Sequence, residues 1–409
     1  MKKYLCFTLL WSLFLLSCQR KNEPLALQNA QWRGENRDGV YNETGLLREW
    51  PAEGPQLLWH FEGLGAGYSS AAAANGKVYA TGLDDDNNAV LYSFDLTGNL
   101  LAKKVVGKEW SRSQPGPRGT VCINEGKLYV YTALGELVCL DEATLNEIWR
   151  KDLQAEFERW HPELGVAESP LIVGDKIFMT PGGETHNMVA LDKNTGELLW
   201  TSPGMGMRST FCSPQFIGDQ SVPIVVTNTV DYIVAFHADT GEMLWSHPQT
   251  NQFDNHPNTP LYSDGMLFAI TGYGAGAMML RLQDGGRSAE RIWTSDADNL
   301  MGGAVKIGNN IYVLGSRNRG LFCIDWETGE TRHKSDELTG GVVIAADGML
   351  FAYTDRGECA LVIPSTDRFD IAGRFPVTLG TDQHWAHPVI HEGVLYIRRG
   401  DALMAYQIK

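Results

Sequence analysis

An eleven-residue phrase occurs twice in the sequence, and its spacing constrains the fold more than any other feature. Residues 190–200 read ALDKNTGELLW, and residues 235–245 read AFHADTGEMLW, 45 residues further along. Segments of the same length, CLDEATLNEIW and CIDWETGETRH, begin at Cys139 and Cys323. Because a self-similar period of about 20–50 residues is typical of repeat architectures, the sequence predicts a fold built from repeated supersecondary units.

A second landmark marks the start of each unit. A small residue precedes a short apolar strand, a turn and a second strand, as in SPLIVGDKIFMT at residues 169–180. The β-branched and aromatic runs between turns indicate four antiparallel strands per unit, and helical periodicity is absent. Four-stranded units repeated around an axis form a β-propeller. The sequence therefore predicts an all-β propeller of eight blades, which start at Ser70, Thr120, Ser169, Ser213, Thr259, Gly303, Val342 and His387.

The two ends of the repeat region predict how the ring closes. The last repeat stops at LMAYQIK after its third strand, while QLLWHFEG near residue 56 has a fourth-strand pattern with no blade before it. If this N-terminal strand completes the last blade, two open sheet edges disappear. We therefore assign residues 55–409 to one closed, monomeric propeller.

Tryptophans recur at the end of the repeated phrase. On an outer strand, such a large ring can fill the wedge between neighbouring blades, so we interpret these side chains as structural docking residues. The small residue that opens the phrase is Ala or Cys, which indicates that Cys139 and Cys323 act as small buried apolar residues. The predicted docking residues are Trp59, Trp149, Trp200, Trp245 and Trp293.

The first eighteen residues resemble a secretory leader. A short basic start is followed by an apolar stretch from Tyr4 to Leu16 and by LLSC at residues 15–18. This pattern resembles a bacterial lipobox and predicts a signal peptide at 1–17, lipid attachment at Cys18 and a tether with an N-terminal extension at 18–54. An ordinary signal peptide cut elsewhere is the alternative. Lipid attachment would hold the protein at a membrane of the bacterial cell envelope, facing the periplasm or the cell surface.

Charge and cysteine usage exclude several classes of partner. The chain carries 49 Asp and Glu against 34 Lys and Arg, a net charge of −15, which argues against nucleic-acid binding. Five scattered cysteines follow Cys18 without a CxxC pair, so neither a disulfide framework nor a zinc site is predicted. The histidines of HWAHPVIH and the acidic run at residues 84–86 lack the spacing of metal ligands, and no metal site is predicted.

Strand order predicts which loops share a face of the ring. The connections between blades and the loops between second and third strands lie together, on what we call the connection face. The remaining turns, including the Asp-Thr-Gly turns, lie on the opposite turn face. Loops of a rigid scaffold are the usual place for binding residues. The predicted binding-face residues are Arg118, Trp160, His161, Glu168, Arg208, His256, Asn258, Arg317, His384, Trp385 and His387.

The pattern A-x-D-x-x-T-G-E-x-x-W, complete at Ala190 to Trp200, resembles the repeat of pyrroloquinoline-quinone (PQQ)-like β-propellers. That family includes quinoprotein alcohol dehydrogenases and the outer-membrane assembly lipoprotein BamB. QWRGENRDG, GYGAGAMML, CIDWETGE and HWAHPVI resemble bacterial PQQ-binding-like repeat proteins. The resemblance implies the propeller fold for nearly the whole chain after Cys18. The resemblance does not imply a function, because the shared motif supplies a side chain that packs between blades and not a functional site.

Two functions are compatible with this resemblance. The first is a non-catalytic binding or scaffold module, which contacts a protein, peptide or glycan on the connection face without a cofactor. The alternative is a dehydrogenase that oxidises an alcohol or sugar with PQQ and calcium, using Arg118, Arg208 and Trp385 around the quinone. The chain lacks an adjacent cysteine pair and long insertions, and no catalytic residue can be placed. The sequence therefore favours the binding module.

Overall fold

A computed structural model of the protein describes residues 27–157, 165–183 and 185–409. The described residues form eight four-stranded antiparallel sheets arranged as a closed propeller, and the predicted fold is confirmed. Strands β1 (Val40–Tyr41) and β2 (Leu57–Glu62) precede the first complete blade. Predicted features at Cys18, in the leader and at Trp160 and His161 lie outside the described residues.

The first four blades follow the N-terminal strands in chain order. A short helix, α1 (Leu153–Glu156), follows the second of them. Their strands are β3 (Ala72–Ala74), β4 (Lys77–Leu83), β5 (Asn88–Asp95) and β6 (Leu100–Lys108); β7 (Cys122–Asn124), β8 (Lys127–Tyr131), β9 (Glu136–Asp141) and β10 (Glu147–Asp152); β11 (Leu171–Val173), β12 (Lys176–Met179), β13 (Met188–Asp192) and β14 (Leu198–Ser202); β15 (Gln215–Ile217), β16 (Ile224–Asn228), β17 (Tyr232–His237) and β18 (Met243–Pro248).

The remaining four blades complete the ring. A 3-10 turn (Asp284–Gly286) joins the last two strands of blade 5. Their strands are β19 (Leu261–Ser263), β20 (Met266–Ile270), β21 (Ala277–Gln283) and β22 (Ser288–Ser295); β23 (Ala304–Ile307), β24 (Asn310–Gly315), β25 (Gly320–Asp325) and β26 (Thr331–Ser335); β27 (Gly341–Ala346), β28 (Met349–Thr354), β29 (Glu358–Pro364) and β30 (Phe369–Pro376); β31 (Val389–His391), β32 (Val394–Arg399) and β33 (Ala402–Gln407).

Blade 8 obtains its fourth strand from the N-terminal side of the chain. Strand β2 pairs antiparallel with β33, and Trp59 lies opposite Ala405. This is the predicted closure, in which the outer strand of the last blade comes before the first blade in sequence. It removes the open edges that the first and last sheets would otherwise present.

The hydroxyl residue at the start of several repeats has a specific role. Ser70, Thr120, Ser169 and Ser213 lie just before the inner strands of consecutive blades. The Thr120 hydroxyl accepts from the Ser70 amide at 3.1 Å, and the Ser169 hydroxyl accepts from the Thr120 amide at 3.0 Å. Ser213 accepts from the Ser169 amide at 2.9 Å. These bonds join neighbouring blades around the channel, which explains why a small hydroxyl residue recurs there.

All five predicted docking tryptophans make the same contact with the following blade. Each indole Nε1 donates to a backbone carbonyl in the turn before that blade's outer strand, at 2.9–3.2 Å. The ring also covers the glycine of that turn, because a Cβ on Gly196 or Gly241 would lie 2.8 Å from Trp149 or 2.4 Å from Trp200. The recurring glycine therefore leaves room for the ring as well as providing a positive φ.

The N-terminal extension enters the central channel from the turn face. The Ala30 amide pairs with the Ile123 carbonyl of blade 2 at 2.9 Å, and β1 pairs in parallel with β27 of blade 7. The chain between these two contacts forms a plug, which we define as residues 29–42. From residue 27 onward, the segment assigned as tether and extension is therefore part of the folded propeller.

Two fully buried arginines fix the plug. Arg33 donates to the carbonyls of Gly302 and Ala304, on the approach to and at the start of β23. Arg37 donates to the carbonyls of Ser169 and Pro170, just before β11, at 3.0 and 2.9 Å. Burial lowers the pKa of each guanidinium to about 10, so both remain charged at neutral pH. The plug is therefore tied to opposite sides of the ring.

Candidate ligand pocket on the connection face

The mouth of the central channel on the connection face is a closed-ended pocket. Its volume is about 350 Å³, within the range of small-ligand sites. Sixteen of the described residues line it, and they come from the plug, one blade-5 loop and seven of the eight connections between blades. Five are aromatic: Trp32, Tyr68, Phe211, Tyr273 and Trp385.

Trp32, at the tip of the plug, forms the floor. Its ring meets the edge of His387 at a centroid distance of 5.1 Å. The guanidinium carbons of Arg33 and Arg37 lie 5.6 and 5.9 Å from the ring centroid, which is cation–π geometry. The floor therefore rests on two buried positive charges.

The walls are aromatic on two sides. Trp385 packs against Tyr68 with ring centroids 5.0 Å apart. On the blade-5 side, Tyr273 is in edge contact with Phe253 at 4.5 Å, and Phe253 is 61% exposed. Arg118 completes the lining, and its Nη2 donates to the Gln114 carbonyl at 2.7 Å. An aromatic surface thus continues from the floor to the rim.

Of the described residues predicted for the binding face, three line this pocket: Arg118, Trp385 and His387. Arg208 and Arg317 are exposed side chains near the pocket. Arg208 faces Asp254 at 3.6 Å, and Arg317 Nη1 donates to the Tyr273 carbonyl at 3.4 Å. The structure thus brings five of the predicted residues to one region.

Three other predicted contact residues are buried, so their assignment to a binding surface is wrong. Glu168 is 3% exposed, and its carboxyl group accepts from the Thr180 amide and hydroxyl. His256 is fully buried, with Nε2 donating to the Val230 carbonyl at 3.0 Å. Asn258 is 2% exposed and donates to the Asn299 carbonyl. These connections pass through the interior of the ring, and their polar side chains satisfy backbone groups there.

The two histidines of HWAHP serve different local contacts. His384 is 9% exposed, and its Nδ1 lies 2.6 Å from the Tyr353 hydroxyl, so this residue also stabilises the interior. His387 donates from Nε2 to the Met301 carbonyl at 2.7 Å. Burial lowers the pKa of His384 to about 4 and that of His387 to about 3, so both are neutral at physiological pH. Neither side chain adds charge to the pocket.

Sequence reasoning missed the plug residue that forms the floor and four aromatic residues near it. Trp32, Tyr68, Phe211, Tyr273 and Phe253 lie outside the repeated strands, so the repeat pattern does not single them out. The only available signal was QWRGENRDG, a segment that precedes the first blade and has no counterpart in the repeats.

A site for PQQ and calcium requires cationic side chains and oxygen ligands. PQQ carries three carboxylates, and calcium requires several oxygen ligands that usually include carboxylates. Among the described residues of the lining, Arg118 is the only formally charged one, and none is Asp or Glu. Across the described parts of the chain, no three His, Cys, Asp or Glu residues are grouped to hold a metal ion. The residues described here do not fit a calcium–quinone pair.

Comparison with known proteins identifies the family. Residues 86–335 match the family described as outer membrane protein assembly factor BamB. The chain belongs to this family of PQQ-like propellers. No curated protein matches the sequence.

Solved structures with this family's fold include members with different functions. BamB from Moraxella catarrhalis is 14% identical, with a TM-score of 0.62 over 87% of this chain and 98% of that one. The quinohemoprotein alcohol dehydrogenase ADHIIG from Pseudomonas putida HK5 is 13% identical, with a TM-score of 0.64 over 93% of this chain and 80% of that one. The quinohemoprotein alcohol dehydrogenase from Comamonas testosteroni is 14% identical, with a TM-score of 0.63 over 91% of this chain and 79% of that one. At these identities, the likeness shows the fold alone.

The family includes proteins associated with the cell envelope. The described part of this member contains no helix that is long and apolar enough to cross a membrane. Its five described cysteines are all unpaired and buried. Four of them, Cys122, Cys139, Cys323 and Cys359, lie in the apolar clusters of the blades, and Cys212 lies in the connection before β15.

Proposed function

We propose that the protein is an exported, lipid-anchored binding propeller without catalytic activity of its own. It receives part of a partner, which is a protein, peptide or glycan, in the pocket of the connection face. The observation that carries this proposal is the pocket itself, closed-ended and aromatic, with the plug as its floor. The described part of the lining supplies surfaces for binding but not the ionic groups that a calcium–quinone pair requires.

The course of the N-terminal segment supports an orientation for this module. The Gln28 amide donates to Asn75 at 2.7 Å, and the Asn29 side chain accepts from the Glu125 amide. Asn75 and Glu125 lie in turns of blades 1 and 2 on the turn face. Only eight residues separate Leu27 from Cys18, a reach of about 30 Å when extended. A lipid on Cys18 would therefore hold the turn face toward the membrane and leave the pocket facing away.

Partner capture should depend on the rim and lining of the pocket. We expect Trp385→Ala or Arg208→Ala to weaken capture while the fold stays intact, because Trp385 and Arg208 are only partly covered by protein. Capture is measured in the native cell with a photo-crosslinking amino acid at position 317, and folding by circular dichroism. Each variant should lower the yield of the crosslinked species.

A crosslinking amino acid at position 194, in an exposed turn of the opposite face, provides the control. Its products should not change with Trp385→Ala. Unchanged capture at position 317 in both variants would contradict the proposal, and unfolding of either variant would identify that side chain as part of the core.

The dehydrogenase alternative predicts a bound quinone. When the purified protein is mixed with PQQ and calcium, we expect neither quinone absorbance after gel filtration nor dye-linked dehydrogenase activity. The physical reason is that the described lining contains one cation, Arg118, and no carboxylate ligand. A stoichiometric bound quinone would overturn our preference for a binding module.

A further inference from the structure

Exposed apolar side chains are concentrated on the turn face. Twelve large apolar side chains are exposed among the described residues, and eight of them occupy the first or second position of an outer strand, at the end that meets this face. Two more, Leu27 and Leu47, also lie on the turn face. We call the eight outer-strand residues the apolar crescent: Leu57, Leu58, Leu100, Leu101, Ile148, Leu198, Leu199 and Met243.

A β-bulge interrupts the outer strands at the crescent. In β14, Leu199 is an extra residue between Leu198 and Trp200, which both pair with β13. The equivalent extra residues of β2, β6 and β10 are Leu58, Leu101 and Ile148. These four bulge side chains are 43–52% exposed. Because a bulge residue is left out of the strand ladder, pairing within the blade does not require it to be apolar.

The crescent occupies five consecutive blades and does not continue around the whole ring. It runs through blades 8, 1, 2, 3 and 4. In blades 5 and 6, the exposed residues at the equivalent positions are Arg291, Thr331 and Arg332. In blade 7, the N-terminal extension covers the bulge, since the Trp50 amide donates to the Ala372 carbonyl at 2.9 Å. The exposed apolar row is therefore a property of one side of the ring and not of every repeat.

The described part of the chain begins beside the middle of the crescent. Leu27 is 58% exposed, and a Cβ on Gly126, in the first turn of blade 2, would lie 3.4 Å from its side chain. Blade 2 is the central blade of the five. Only eight residues separate Leu27 from Cys18, the predicted site of lipid attachment. A lipid at Cys18 would therefore bring this side of the turn face closest to the bilayer.

We propose that the apolar crescent inserts into the surface layer of the membrane that holds the lipid anchor. The ring is then tilted, with blades 8 and 1–4 against the bilayer and blades 5–7 raised from it. Aliphatic side chains gain hydrophobic free energy at the boundary between headgroups and acyl chains without a specific partner. This inference rests on the lipid anchor of the proposed function and adds a second, non-covalent contact to it.

The composition of the crescent favours a lipid surface over a docked protein. Its members are all Leu, Ile or Met, whereas the binding energy of protein interfaces is concentrated in Trp, Tyr and Arg. Exposed acids also interrupt it, because Glu147, Glu197 and Glu242 each directly precede a member. Charged residues are depleted from the core of a protein interface. The same acids oppose attraction to anionic lipids, so we expect contact to depend on apolar insertion.

Fluorescent probes at equivalent positions of two blades test the tilt. Leu198→Cys and Thr331→Cys place a nitrobenzoxadiazole label just before the bulge of β14 and of β26, where both native side chains are exposed. The five described native cysteines are buried, which protects them from labelling. The full chain is purified from its native cell and reconstituted into neutral phosphatidylcholine vesicles. A lipid nitroxide near the top of the acyl chain should remove about half or more of the fluorescence at position 198 and little at position 331.

Matched charge substitutions test whether apolar insertion causes this quenching. Leu101→Glu should lower the quenching at position 198, because insertion would bury a carboxylate. Val105→Glu should leave it unchanged, since Val105 is 53% exposed in the same strand but lies outside the crescent. Addition of phosphatidylglycerol should not increase the quenching. Circular dichroism establishes that each variant is folded.

Absent or equal quenching at the two positions, quenching that needs phosphatidylglycerol, or equal effects of the two glutamate variants would overturn the inference. A photo-crosslinking amino acid at position 199 that captures a protein instead of lipid in the native cell would also overturn it. Mass spectrometry of Cys18 separates this failure from that of the anchor. A lipidated protein with equal quenching keeps the anchor and loses the tilt, whereas an unlipidated protein still quenched at position 198 keeps the crescent contact and loses the anchor.

Discussion

Replacing Trp245 with alanine is expected to lower the free energy of unfolding by about 3–5 kcal/mol. The indole is 7% exposed and packs in the cluster that joins blades 4 and 5. Its Nε1 donates to the Gly286 carbonyl at 3.1 Å. Truncation leaves a cavity between two blades and removes a bond that joins them. Urea unfolding monitored by circular dichroism measures the change.

The neighbouring outer strand provides a matched control. Leu199 precedes Trp200 in β14 and is 48% exposed, so Leu199→Ala should change stability by no more than about 0.5 kcal/mol. If the two variants unfold at the same urea concentration, the tryptophans are not the contacts that hold adjacent blades together.

Replacing Arg37 with alanine is expected to destabilise the protein by about 3 kcal/mol or more, because two buried hydrogen bonds from a charged donor are lost. The carbonyls of Ser169 and Pro170 would be left without their donor inside the channel. A methionine of similar length should not restore stability, since it cannot donate. The plug should also loosen, so proteolysis near residue 40 should become faster than proteolysis within the blades.

Arg48 provides the control for this experiment. It belongs to the same N-terminal extension but is exposed, and makes one 3.3 Å hydrogen bond to the Asp347 carbonyl. Arg48→Ala should change stability by no more than about 0.5 kcal/mol. Equal losses in the two arginine variants would contradict the role assigned to Arg37.

The plug connects stability with the proposed binding site. Because Trp32 lies between the pocket and the two buried arginines, a loosened plug removes the pocket floor as well as channel contacts. Arg37→Ala should therefore also weaken any ligand that packs on Trp32, although Arg37 itself does not line the pocket. Weaker binding in the Arg37→Ala variant would therefore reflect the position of Trp32 and not a direct contact between Arg37 and the ligand.

The sequence predicted the blades because each blade is made from about 45 contiguous residues. Strand pairing within a blade is local, so the turn residues, the apolar alternation and the outer-strand tryptophan all fall within one repeat. The closure of the ring also followed, since a fourth strand without a blade and a blade without a fourth strand must match. These features needed only the order of residues along the chain.

Only the tertiary structure decided which polar residues face a ligand. The pocket is formed by residues from seven connections and by Trp32, which precedes the first blade. Sequence position could not separate His387, in the lining, from His256, fully buried in a similar connection. The physical reason is that burial of a connection depends on the opposite side of the ring and on the plug that fills the channel. Those contacts join residues hundreds of positions apart, such as Arg33 and Gly302, which no local pattern relates.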